Sequence, residues 1–99
     1  YRMHVGVCRI VLHLPENHDL KGKRQVLRSI KDRVRHRFNV SIAEMEENDL
    51  WQRAVLGVAC LGNEARYVNE VLSQVVEYVQ QTAGDADLAE YSIDISQGF

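Results

Sequence analysis

The first forty residues show an extended pattern of apolar positions followed by a helical one. Residues 4–14 are rich in β-branched side chains on both parities, which predicts a first strand with two largely apolar faces. Pro15 interrupts this run, and Asp19 is placed to cap a helix. Over residues 20–38 the apolar positions recur three and four apart, which predicts that helix one buries a single stripe. The expected members of this stripe are Leu20, Leu27, Ile30, Val34 and Phe38.

The middle of the chain predicts two strands joined by an acidic turn. Residues 40–45 indicate a short edge strand, which leads into a polar turn at residues 46–49. Residues 52–61 form a nearly continuous apolar run, so this third strand is expected to be central and buried on both faces. Gly57 has no side chain to pack there, which suggests a bulge or the close approach of another backbone.

The last third of the chain predicts a second helix and a fourth strand. Gly62 and Asn63 are expected to end the third strand and to cap helix two. After a loop at residues 82–87, residues 88–96 alternate between apolar and polar side chains, as in a half-buried strand. The expected apolar stripe of helix two is Val68, Leu72, Val75 and Val79.

The predicted order of elements is therefore β-α-β-β-α-β. A chain of 99 residues has the size of one domain, and it shows no internal repeat or linker. We expect a single α+β domain over residues 1–99 with a ferredoxin-like βαββαβ fold. In this fold two helices lie on one face of a four-stranded antiparallel sheet.

Composition places the chain among globular proteins of the cell interior. Hydrophobic residues make up 45% and charged residues 26% of the sequence, close to the average for folded domains. No apolar run approaches the roughly 20 residues that span a bilayer, so no membrane association is expected. Residues 1–14 lack the small-residue cleavage site of a signal peptide, and Met3 resembles a natural start. The expected location is the cytoplasm.

Positive charge is concentrated on the first helix. The formal net charge is −2, yet eight of the 12 Lys and Arg residues lie within residues 20–38, where only Asp32 opposes them. Helix one thus carries +7 and the remainder of the chain −9, which predicts a basic ridge on an acidic body. The eight residues are Lys21, Lys23, Arg24, Arg28, Lys31, Arg33, Arg35 and Arg37.

Five of these cations are expected to form one line. At about 100° per residue they fall within an arc of about 80°, roughly a quarter turn from the apolar stripe. Like charges four apart on a helix repel each other by a few tenths of a kcal/mol, whereas phosphates would relieve that repulsion. The alternative is a solvated face on which Arg and Lys serve as good helix formers. The five are Lys21, Arg24, Arg28, Lys31 and Arg35.

Among anionic partners, RNA fits these features best. We expect no exposed Trp, Phe or Leu beside the basic arc of helix one. Without such a side chain to insert into a headgroup layer, a membrane surface is disfavoured as the partner. No helix-turn-helix is recognisable, whereas antiparallel sheets with two helices recur in RNA-binding modules. The strands lack an aromatic pair for base stacking, so contact with the RNA backbone is expected, at about five phosphates. The candidate nucleic-acid-binding residues are Lys21, Lys23, Arg24, Arg28, Lys31 and Arg35.

No pattern in the sequence indicates catalysis, a cofactor or a metal. The four histidines lack metal-site spacing, and neither a phosphate-binding loop nor a small-molecule site is evident. Glu44 and the carboxylates of residues 46–49 are expected to be solvated. Cys8 and Cys60 each lie in an apolar run, which predicts buried free thiols; a disulfide would require their strands to be adjacent. We therefore expect a protein that is not an enzyme.

The sheet face away from the helices is a second candidate surface. One parity of strand one would leave apolar side chains exposed in a monomer, which is typical of an association site. Trp51 is either a lid over the edge of the core or an interface anchor. This predicts a homodimer and gives an alternative function: a homodimeric assembly domain whose basic helix meets an acidic protein. The candidate interface residues are Val5, Val7, Val11 and Trp51.

Three segments of the chain resemble a known family. They are residues 19–31, with the motif L-K-x-K-R, residues 37–44, and residues 49–59, with the motif D-x-W-Q-x-A. Together they resemble the YlxP family of small bacterial proteins, and the resemblance covers about four-fifths of the chain. It implies a ferredoxin-like fold and, since the family has no assigned activity, no catalytic residue. Genes of the family commonly lie beside those for translation initiation and ribosome-binding factor A, which favours a ribosome or RNA role.

Overall fold

The computed structural model describes residues 1–15, 19–45 and 51–99. The four strands form one antiparallel sheet in the order β2-β3-β1-β4. This arrangement confirms the predicted ferredoxin-like βαββαβ fold. The turn predicted at residues 46–49 lies outside the described residues. The elements are β1 (His4–His13), α1 (Leu20–Arg37), β2 (Ser41–Glu44), β3 (Arg53–Gly62), α2 (Ala65–Thr82) and β4 (Asp87–Gln97).

One face of the sheet carries the core. The helix-facing residues of β1 and β3 are almost completely buried, and α2 packs over β1 and β4 while α1 packs over β2. Cys8 and Cys60 point to this side of adjacent strands and are offset by two residues, since Cys8 pairs with Val58 and Gly6 with Cys60. Both cysteines are free and buried, as predicted.

The sheet is irregular at a different place from the one predicted. Both ladders of β3 run through Gly57 without a shift, so no bulge exists there. A Cβ at Gly57 would lie 3.0 Å from Cε of Met45, so a flexible side chain approaches this glycine and not a backbone. The shift lies instead between β1 and β4, where Val11 and Leu12 are consecutive but pair with Glu90 and Leu88.

The two helices begin differently. The Asp19 side chain accepts a hydrogen bond of 2.7 Å from the N–H of Gly22, which confirms the predicted cap of α1. Helix α2 has Glu64 at its N-cap, with no side-chain capping bond. The predicted cap at Gly62 and Asn63 is wrong because β3 continues through Gly62 before the chain turns.

Candidate nucleic-acid interface

The orientation of α1 follows from its apolar stripe. Leu27, Ile30 and Val34 are buried against the sheet, so the basic arc lies on the flank of α1 beside β2. No acidic residue lies in the first turn of α1, and basic residues occupy its last turn. The helix dipole therefore does not account for the cations near the N-terminus, because positive charge is unfavourable there.

A cavity of about 370 Å³ lies between α1 and the ends of β2 and β3. Four of the six predicted binding residues line it, which are Lys23, Arg24, Arg28 and Lys31, together with Glu44. Its apolar lining consists of Leu20, Leu27, Met45, Ala54 and Val55. We call this cavity the basic groove.

The groove exists because the two strands below α1 differ in length. Strand β2 has four residues and pairs with β3 only as far as Leu56, whereas β3 begins three residues earlier, at Arg53. The last link is a hydrogen bond of 2.8 Å from the N–H of Met45 to the carbonyl of Val55. Beyond it, the first turns of α1 have no β2 residue beneath them in the described ranges.

Three cations of the arc are available to a ligand. Lys21, Arg24 and Arg28 are exposed, and within residues 1–15, 19–45 and 51–99 no hydrogen bond or ion pair engages their side chains. Arg24 and Arg28 are four residues apart, so their positions are separated by about 6 Å along the helix axis. These three residues form the exposed part of the predicted site.

Two further cations of the arc are held by the protein itself. Nζ of Lys31 lies 2.5 Å from Oε2 of Glu44, and the Lys31 side chain is only 16% exposed. Nη2 of Arg35 donates to the carbonyl of Ile42 over 3.0 Å, and its Nη1 lies 3.7 Å from a carboxylate oxygen of Asp32. Lys31 and Arg35 thus link α1 to β2, and the carboxylates of Glu44 and Asp32 partly neutralise their charge.

Lys23 is not part of the exposed arc. It is 7% exposed and has a polar or charged contact of its own. Because it precedes Leu27 by four residues and Ile30 by seven, it lies on the buried stripe. This spacing could have revealed its burial, which counts against the predicted role of Lys23 as a phosphate-binding residue.

The remaining two cations of α1 join the two helices. Nη1 of Arg33 donates to the carbonyl of Thr82 at the end of α2 over 2.7 Å. The guanidinium of Arg37 lies 4.9 Å from the ring centroid of Tyr78, which also packs edge-on against Phe38. The charge of +7 is therefore not a single ridge, because part of it belongs to the joint between α1 and α2.

The far face of the sheet is only partly open. Val5, Val7 and Trp51 are exposed, as the predicted interface requires. Val11 is 3% exposed, so it cannot contribute to an accessible surface and its place in that interface is wrong. Its pairing partner Val55 is buried as well, so the far face is closed at this end of the sheet.

The described residues contain neither a candidate metal cluster nor a helix that could span a membrane. Among the residues that the structure describes, no three His, Cys, Asp or Glu side chains converge closely enough to hold a metal ion. In the same ranges, neither helix combines the length and the apolarity that crossing a bilayer would require. Of the predicted solvated carboxylates, Glu44 pairs with Lys31, and Glu46, Glu47 and Asp49 lie outside the described residues.

Solved structures share the fold of this chain at low sequence identity. The designed protein Foldit4 has a TM-score of 0.54 and 11% identity, covering 94% of this chain and 96% of that one. The designed protein Ferredog-Diesel has a TM-score of 0.52 and 17% identity, covering 91% and 83%. A designed protein with a ferredoxin fold, solved by NMR, has a TM-score of 0.51 and 11% identity, covering 97% and 85%. At these identities the likeness concerns the fold alone.

Sequence comparison identifies relatives. The uncharacterized protein YlxP from Bacillus subtilis (strain 168) is 38% identical over 60 residues, which are 61% of this chain and 65% of that protein. The match thus spans slightly less than two thirds of the relative's length. A family model described as a protein of unknown function (DUF503) matches residues 5–93. The predicted relationship to YlxP is confirmed, and the chain belongs to the DUF503 family of proteins of unknown function.

Proposed function

We propose that this protein is a non-enzymatic RNA-binding or ribosome-associated module that holds RNA phosphates along α1. The observation that carries the proposal is the group of Lys21, Arg24 and Arg28, three exposed cations on one flank without partners in the described part of the chain. Arg24 and Arg28 line the basic groove, and Lys21 lies within one helical turn of Arg24. We call these three residues the exposed triad.

The other cations of α1 make the exposed triad stand out. Lys31, Arg33 and Arg37 each contact a carboxylate, a carbonyl or an aromatic ring of another element, which stabilises the fold. The exposed triad has no such contact in the described residues, and its like charges raise the free energy of the helix by a few tenths of a kcal/mol per close pair. A bound polyanion would remove this cost, and it would be attracted to this basic flank of an otherwise acidic molecule.

The apolar side of the groove favours a nucleic acid over a simple anion. Leu20 is exposed next to Arg24 in the lining of the groove, so a ribose or base can rest on it while the phosphates meet the guanidinium groups. The exposure of Leu20 departs from the expectation of an arc without apolar neighbours. One leucine side chain nevertheless provides far less area than an amphipathic helix buries in a headgroup layer.

Salt dependence tests the proposal directly. Because two of the five cations of the arc, Lys31 and Arg35, are held by the protein, we lower the expected number of phosphates from about five to about three. The affinity for a fluorescently labelled single-stranded oligoribonucleotide should then fall with salt with a log-log slope of about −2, since each phosphate contributes about −0.7. Binding that is insensitive to salt would overturn the proposal.

A matched pair of variants locates the contact. The double substitution Arg24→Gln and Arg28→Gln removes two phosphate contacts, so the slope should become shallower by about 1.4. Arg66→Gln removes an exposed cation on α2 and should leave the slope unchanged. Failure to bind RNA, combined with binding of the same arc to an acidic peptide, would support the alternative of an acidic protein partner.

A further inference from the structure

The outer strand β4 has an unusually long open edge. It has 11 residues and pairs only with β1 in the described sheet. The N–H of Gly98 donates to the carbonyl of Met3 over 2.8 Å, and backbone groups alternate along an antiparallel ladder. The even residues of the regular stretch 90–97 therefore bond to β1. The N–H and C=O groups of Tyr91, Ile93, Ile95 and Gln97 point away from the sheet.

The same residues carry an apolar row. The side chains of Tyr91, Ile93 and Ile95 lie on the helix side, and Tyr91 is 53% exposed while the two isoleucines are half-buried. Sheet edges are commonly protected by Lys or Pro, and β4 contains neither. An added strand would satisfy the free backbone groups and cover this apolar row together.

The flank of α2 above this edge is mostly uncharged. Asn69, Ser73 and Gln80 lie on the side of α2 opposite Tyr78, which faces α1, and Val76 is buried beside them. The exposed Glu77 and Glu70 lie about 60° and 80° from Gln80 around the helix, whereas Arg66, in the first turn, lies about 20° from Ser73. Depletion of charge is typical of the centre of a protein interface.

We propose that a second copy of this chain docks at this edge, with the two β4 strands antiparallel about a two-fold axis at Ile93. In that register Ile93 meets its own copy and Tyr91 of one copy lies opposite Ile95 of the other, so the apolar row is complementary to itself. The product is a continuous eight-stranded sheet in the order β2-β3-β1-β4-β4-β1-β3-β2.

Charge selects this register over its neighbours. With the axis at Ile93, Glu90 lies opposite Ser96 and Asp94 opposite Ser92. A register centred on Ser92 would set Glu90 against Asp94, and one centred on Asp94 would oppose two copies of that carboxylate. Like charges directly opposite each other destabilise a strand pair, so both alternatives are disfavoured. A dimer through β4 also leaves the basic groove at the outer ends of the sheet, so the inference is independent of RNA binding.

Cysteine cross-linking between two single variants tests the register. In the proposed dimer positions 90 and 96 of opposite copies form a non-hydrogen-bonded pair, whose Cα atoms are about 4.5 Å apart and suit a disulfide. A mixture of the Glu90→Cys and Ser96→Cys variants should therefore form a disulfide-linked dimer under mild oxidation. Either variant alone should not, because its two cysteines would be about six residues, or about 20 Å, apart.

The wild type serves as the control, since Cys8 and Cys60 are buried and should not cross-link. Sedimentation of the wild type should show a dimer at micromolar concentration. A monomer at all concentrations, or cross-linking that is equal in the single variants and in the mixture, would overturn the proposed dimer. Circular dichroism of each variant checks that it is folded, so that a missing cross-link is informative.

Discussion

Gly6 is the residue at which α2 comes closest to the sheet. A Cβ at this position would lie 2.4 Å from Cγ1 of Val68 and 2.7 Å from Cδ1 of Leu72, both fully buried side chains of α2. Neither can move away without disturbing the core, which is packed on all sides. We expect Gly6→Ala to lower the free energy of unfolding by about 1–3 kcal/mol, as overpacking does elsewhere. Urea denaturation measures this loss.

Gly57→Ala is the matched control for that substitution, since Gly57 also lies in a central strand. Its new methyl group would meet only the end of the Met45 side chain, at 3.0 Å, and Met45 is exposed and can move. We therefore expect a clearly smaller loss of stability than for Gly6→Ala. Equal losses for the two variants would show that helix-to-sheet distance is not what requires glycine at position 6.

Cys8 makes the stability of the protein sensitive to alkaline pH. Burial raises the pKa of the Cys8 thiol from 9.0 to about 11, and it raises the pKa of Cys60 as well. Between these values the unfolded chain loses the thiol proton while the native protein retains it. The native state thus binds more protons, and the free energy of unfolding falls as the pH rises from about 9 to about 11.

Comparison with Cys8→Ala isolates this effect from the other groups that titrate at alkaline pH. The variant is expected to be less stable than the wild type near pH 8, because a buried sulfur is lost. Its stability should nevertheless fall less steeply towards pH 11, which urea denaturation at several pH values measures. Parallel pH profiles for the two proteins would contradict a buried, protonated thiol at position 8.

The sequence alone could not predict which cations of α1 are free to contact a ligand. Helical spacing placed the arc correctly on one flank of α1, and the same spacing was sufficient to place Lys23 on the buried stripe. The partners of Lys31 and Arg33, however, are Glu44 on β2 and the carbonyl of Thr82 at the end of α2. These partners are distant in sequence, and only the packing of the elements brings them to α1.

At the scale of elements, the start of α1 depends on one side chain. Asp19 satisfies the N–H of Gly22, whereas Glu64 at the start of α2 makes no such bond. We expect Asp19→Ala to reduce the free energy of unfolding by about 0.5–2 kcal/mol, the usual loss for an N-cap. Glu64→Ala should change it by less than about 0.5 kcal/mol. Urea denaturation measures the loss of stability in both variants. Equal losses would contradict a special role for the Asp19 side chain.

Element types were predictable because each pattern agreed with its place in the fold. The alternation in β4, the apolar run in β3 and the stripe of α1 each predicted the right element, although Leu20 at the start of the stripe and Tyr91 in β4 are exposed. The cap of α2 and the irregularity of the sheet were not predictable. Both depend on how far β3 extends and on the register between β1 and β4, which are set by pairing across the sheet.

At the scale of the whole molecule, the basic groove and the unpaired backbone groups of β4 lie at opposite edges of the sheet. The basic groove adjoins β2, at one edge of the sheet, and the open backbone groups lie on β4, at the other. Composition predicted the charge asymmetry, but the open edge became visible only with the strand order β2-β3-β1-β4. The two proposed surfaces would therefore not compete, because they lie at opposite edges of the sheet.

The most direct test of the account compares two double charge reversals with equal net charge. Each Arg→Glu substitution changes the charge by two, so both Arg24→Glu with Arg28→Glu and Arg2→Glu with Arg66→Glu take the formal charge from −2 to −6. All four arginines are exposed. If RNA phosphates rest on α1, the first pair should weaken oligoribonucleotide binding at least tenfold, while the second should weaken it only slightly. Equal weakening by both pairs would mean that only the net charge matters, and it would contradict a binding site on α1.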